Sequence, residues 1–181
     1  MSEFSESYHL RSDDQNDGVA LLERAGLKGF VFPASNGWVT VLAEGDIFTP
    51  NDRLISANTG TLLYFANAED HGWLFSIYAS SECVCHYECA WEDTIEADHS
   101  GLDLKAVTEL LRPSVSLEET HQILHPSPTD FDRLFLQPPA TSFAQSIGLE
   151  HYEWLSYAYM ETDFESGELR SPDVITVAIE G

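Results

Sequence analysis

The residues best equipped for chemistry in this chain crowd into Glu82-Cys83-Val84-Cys85-His86-Tyr87-Glu88-Cys89, where three thiols and an imidazole fall within seven positions. Thiolate and imidazole are the usual ligands of protein zinc. Strand geometry works against that chemistry: alternation assigns Cys83, Cys85, Tyr87 and Cys89 to one face and Val84, His86 and Glu88 to the other. Same-face neighbours on a strand lie about 6.6 Å apart, awkward for one tetrahedral ion and near the long limit for a disulfide. The three cysteines are therefore expected to be free and to act as small buried hydrophobes.

His121 and His125 form a second constellation, four residues apart on one predicted helical face near Glu118. They are weak candidate metal ligands, because Gln122 occupies the place of the glutamate in an H-E-x-x-H site. Pro126 puts His125 at a helix end, where the dipole favours a cation. The run Asp13 to Gly18 resembles the start of a calcium loop. With Gly18 as the sixth position, however, the twelfth is Arg24 and the bidentate glutamate is missing. The chain contains no phosphate-binding glycine loop, nucleophile elbow or C-x-x-C pair, and an acid-base site built from Glu92, Asp93 or Asp98 with His99 has no spacing to support it. No cofactor is expected.

The charge is more informative. In 181 residues there are 31 Asp plus Glu against 8 Lys plus Arg, a formal charge of −23. Such a chain is a poor match for nucleic-acid backbones and anionic membranes, both of which are bound through clustered bases. The acids are also unevenly spread. Segments 82–98 and 134–169 contain no Lys or Arg. From the first, Glu92, Asp93, Glu96 and Asp98 are the candidate contacts for a basic protein. From the second, Tyr157 and Tyr159 are added, which on a strand would share one face and supply aromatic anchors.

The elements that must position these groups read as an α+β fold with a mostly antiparallel sheet. Three β-type runs, TLLYFANA, GWLFSIYA and ECVCHYECAW, are separated by tight turns and predict a three-stranded meander over 61–91. Before it, Asp17 to Gly26 reads as a capped amphipathic helix, Lys28 to Pro33 and Gly37 to Ala43 as a hairpin, and Thr49 to Gly60 as a short helix. After it, 103–148 is a helical segment, opened by Asp103 and continued by a capping box at Ser116-Leu117-Glu118-Glu119 and by starts near Asp130 and Pro139. The last stretch, 153–180, reads as a β-hairpin whose final strand returns inside the sheet, with the helices packed on one face. Residues 1–16 read as a flexible leader to a single domain, 1–181.

The acidic start has no basic, apolar leader and no apolar run is long enough to span a bilayer, which predicts a cytoplasmic protein. In size and charge the chain looks like bacterial toxin-immunity or inhibitor proteins, with no motif behind the likeness. The expectation is a non-catalytic binding module whose acidic face meets a basic partner. The alternatives are a metal-dependent enzyme using carboxylates with His121, His125 or His99, and a structural or oligomerising subunit.

Overall fold

The computed structural model describes residues 4–167 and 172–178. The described chain runs β1 (Phe4–Arg11), α1 (Gln15–Ala25), β2 (Gly29–Val31), β3 (Trp38–Ala43), α2 (Asp52–Ala57), β4 (Thr61–Ala68), β5 (Gly72–Ala79), β6 (Glu82–Trp91) and β7 (Ile95–Asp98). It continues through α3 (Leu104–Leu110), α4 (Leu117–Leu124), α5 (Phe131–Leu136), α6 (Pro139–Ser146), α7 (Tyr157–Ser166) and β8 (Ile175–Val177). The fold is α+β: the strands form one antiparallel sheet in the order β7-β6-β5-β4-β1-β3-β2-β8. No helix among the described residues is long and apolar enough to cross a membrane.

The meander forms as its alternation requires, with β4, β5 and β6 joined by tight turns. The segment expected to be a flexible leader instead supplies β1, which lies between β4 and β3 and is buried over most of its length. Its inward polar groups find partners. His9 is fully buried, with Ser7 Oγ 2.9 Å from Nε2 and Thr40 Oγ1 3.1 Å from Nδ1. Burial lowers the His9 pKa to about 3, so the imidazole is neutral at pH 7.

Strand alternation divides the core in two. On one face Leu63, Phe65, Phe75 and Tyr87 pack with Val107 of α3, Leu124 of α4, Leu134 of α5 and Phe143 of α6. On the other, Tyr8, Val41, Leu62 and Tyr64 pack with Leu21 and Leu22 of α1 and Leu54 and Ile55 of α2. The 103–148 helices thus cover one face as expected, but α1 and α2 cover part of the opposite face. Gly18 permits the close approach of α1, since a Cβ there would fall 2.7 Å from Val31 Cγ1 and 2.8 Å from Val39 Cγ1. Asp14 caps α1 in place of Asp17, and Asn51 caps α2 in place of Thr49.

The C-terminal strand is present as β8, paired with β2 at the end of the described sheet order, so it does not lie inside the sheet. The run expected to pair with it, 153–160, forms a loop and the first turn of α7. Ser156 accepts from the Tyr159 amide to open that helix, and Gly167, in the left-handed region, closes it. Met160 and Tyr157 of α7 pack on Phe30, Phe32 and Leu42.

Candidate functional site

α1 and α2 cover the β2–β3–β1–β4 half of their face and reach Tyr78 at one end of β5, whereas among the described residues the concavities around Leu74, Glu88 and Ala90 are lined by strand and loop residues and by none from a helix. The first is a trough of about 270 Å³ floored by Ala66, Ala68, Leu74 and Ala90 and walled by Phe48. Glu88 and Ala90 also line the adjoining dish of about 550 Å³, with His71, Glu92, Asp93 and Glu96. Among the described residues no lysine or arginine lines either concavity.

Local structure explains the concentration of charge. Strands β6 and β7 are joined by a tight turn carrying Glu92 and Asp93, and their register sets Glu88 opposite Asp98 and Ala90 opposite Glu96. The register thus sets two carboxylates, Glu88 and Asp98, at directly opposed positions, where Cβ atoms of a sheet face lie about 5 Å apart. Glu96 accepts from Thr94 Oγ1 at 3.1 Å, and Asp98 accepts from the Ser100 amide at 2.8 Å. That bond, the Ser100 side chain and the nearby His86 and His99 hold the Asp98 carboxyl below the usual carboxylate range, so it remains anionic.

Of the sequence candidates, Glu92, Asp93 and Glu96 therefore converge in one dish, and Asp98 lies beside it on β7. Tyr157 and Tyr159 do not join them. They lie on α7, against β2, six strand intervals away, or about 29 Å at ~4.8 Å per interval. On a helix, positions two apart point in different directions, so the expected shared face does not exist. Tyr159 is 41% exposed, whereas Tyr157 packs on Phe30 and donates to Glu161 at 2.8 Å. Glu88 was missed as a contact, although its alternation with Tyr87 marked it as outward-facing.

The cysteine run departs from simple alternation. An irregularity between Ile77 and Tyr78 pairs Ile77 with Cys85 but Tyr78 with Cys83. Val84 consequently packs toward the helix-covered core, and Cys83 is exposed while Cys85 and Cys89 are buried. The three thiols do not line one face. Burial raises the Cys85 and Cys89 thiols, which disfavours the thiolate that zinc requires. Among the described residues no group of three or more His, Cys, Asp or Glu is placed to hold a metal ion.

His99, His121 and His125 do meet, but as a column of rings. The His121 and His125 centroids are 3.8 Å apart with planes at 8°, and those of His125 and His99 are 4.2 Å apart at 14°. Imidazole lone pairs lie in the ring plane, so parallel stacked rings direct them along separate planes and away from one common ion. A further pairing, Ser76 Oγ to His86 Nδ1 at 2.9 Å with Asp98 nearby, has the composition of a hydrolytic triad. Ser76 is only 3% exposed, which withholds its hydroxyl from a substrate. The acidic surface is thus the candidate site, and the comparisons add no identity: no protein-family model, no curated protein and no solved structure matches the chain.

Proposed function

We propose that the chain is a non-catalytic binding module, inhibitor-like or immunity-like in character, whose acidic surface on β6 and β7 engages a basic protein. The observation that carries this reading is the unneutralised set Glu88, Glu92, Asp93, Glu96 and Asp98 on an open face, including one directly opposed like-charge pair. Like charges directly opposed on a sheet are unfavourable, and a cationic partner would offset that cost. An edge strand also uses charge to discourage pairing with other chains. That accounts for Glu96 and Asp98 on β7, but not for Glu88 on β6 or for Glu92 and Asp93 in the turn. Beside the acids, the trough over Leu74 and Ala90 supplies apolar contact of the kind found at the centre of interfaces, with the charges as its rim.

The test is affinity capture with the purified chain, followed by titration of any recovered protein at low and high salt. The expected partner is basic, binds more weakly as salt rises, and is lost to the double variant Glu88→Lys, Glu96→Lys. An affinity indifferent to salt, or unaffected by that double substitution, would overturn the reading.

A further inference from the structure

The column formed by His121, His125 and His99 does more than fill space. His99 Nε2 donates to the Leu124 carbonyl at 2.7 Å, and His125 Nδ1 donates to the His121 carbonyl at 3.0 Å, so two of the rings finish the C-terminus of α4. A carbonyl only accepts, so those nitrogens carry protons, and His99 Nδ1 and His125 Nε2 are left to take up further ones. Immediately after His125 the chain passes through Pro126 and Ser127 to Pro128, whose carbonyl accepts the Ile95 amide at 3.0 Å. Ile95 is the first residue of β7, which ends the sheet order, so the segment following the column covers part of a sheet edge.

We infer that the histidine column is an acid-sensitive latch that holds segment 126–130 over the edge of β7. With the rings neutral, stacking and both helix-end hydrogen bonds coexist. One proton is accommodated, because a cation near the carbonyl end of a helix is favoured. Further protons place like charges one or two ring spacings apart. The groups facing the column do not neutralise three charges. Tyr87 of β6, at 5.6 Å from His99, is kept in its neutral phenol form by burial. Asp98 of β7 interacts with His99 but also with His86. Glu118 lies one turn before His121, and Arg133 of α5, which reaches Gln122 on α4, adds positive charge. Burial holds His125 below its ordinary value, helped by the charges of His121 and His99 and opposed by the hydrogen bond to the His121 carbonyl, so this ring resists its proton. Its protonation separates the column, loosens the end of α4 and draws Pro128 away from Ile95. The freed amide is an unpaired donor on an edge strand, open to solvent or to another chain.

Hydrogen exchange at the Ile95 amide, corrected for intrinsic rate and referred to the central Leu63 amide, tests the latch at pH 7.5 and 5.0. In the wild type the protection of Ile95 relative to Leu63 should fall at least about fivefold on acidification, the scale of one like-charge contact at ~4 Å screened as in bulk water. His125→Phe keeps a ring in the column but cannot be protonated, and should make that ratio independent of pH. A wild-type ratio that does not change, or the same fall in the Phe variant, would overturn the inference. The wild type also provides a check that needs no variant: the midpoint of Ile95 deprotection should coincide with the NMR titration of the His125 ring, and a midpoint away from it would equally overturn the latch.

Discussion

The two faces of strand β6 have opposite fates. Cys85, Tyr87, Cys89 and Trp91 point into an aromatic core closed by α3 to α6, whereas Glu88 and Ala90 point to a surface that no helix covers. Side chains with adjacent positions in one ten-residue strand therefore serve different ends. The covered face contributes stability through burial, and the open face carries the charge, with Glu88 and Asp98 directly opposed. Function can be placed on a rigid strand without disturbing the core because the period of two keeps the sets apart.

Truncation in the covered face tests that division most severely. Phe75 is fully buried and stacked 4.3 Å from Phe143, so Phe75→Ala should cost about 3–5 kcal/mol in urea unfolding. A loss below ~1 kcal/mol would mean that this face does not carry the fold. The buried half of β1 offers a pH test. The unfolded chain takes a proton on His9 near the ordinary value of 6.5, whereas the folded chain resists it until about pH 3. The stability due to neutral His9 is thus complete above that ordinary value and is lost as pH falls from it toward about 3, by up to ~1.4 kcal/mol per pH unit. Unfolding midpoints of the wild type should accordingly decline more steeply between pH 6 and 4 than those of His9→Gln; parallel curves would refute the assignment.

At the α1-covered half, Gly18→Ala should destabilise by roughly 1–3 kcal/mol through its contact with Val31 and Val39, despite alanine's better helix propensity of ~1 kcal/mol. A stabilised variant would mean that the helix shifts freely on the sheet. The smallest effect has the opposite sign. Glu88→Gln removes the opposed charge from Asp98 and should raise stability by about 0.2–1 kcal/mol while weakening any basic partner. A destabilised Glu88→Gln would remove the cost on which the functional reading rests.

The legible parts of the fold were those where pattern and burial agree. The meander declared itself through long apolar runs divided by turn residues, and the helices of 103–148 through their caps, including the Ser116 capping box. β1 was hidden because its inward face carries Ser5, Ser7 and His9, which resemble surface residues until Thr40 and the Leu155 amide are seen to satisfy them. α7 was misread because Tyr157, Ala158 and Tyr159 have strand character, whereas the Ser156 and Gly167 caps specify a helix. At the site, the base-free run 82–98 indicated the acidic hairpin. Its depth and the apolar trough beside it were not legible, because they follow from where α1 and α2 stop rather than from any residue in the run. The irregularity at Cys83 has no signal in the neighbouring residue types.

The position of β1 bears on how the chain assembles. Strands β4 to β7 pair through short local connections, and β2 pairs with β3, so two partial sheets can arise from near neighbours in the chain. Among the described strands only β1 is bonded to both, through Tyr8 to Val41 on one side and to Tyr64 on the other. Closing the β1–β4 side of that seam brings together residues more than fifty positions apart, a longer loop than any hairpin of either partial sheet requires. β1 therefore acts as the joint that turns two hairpin assemblies into one cooperative body.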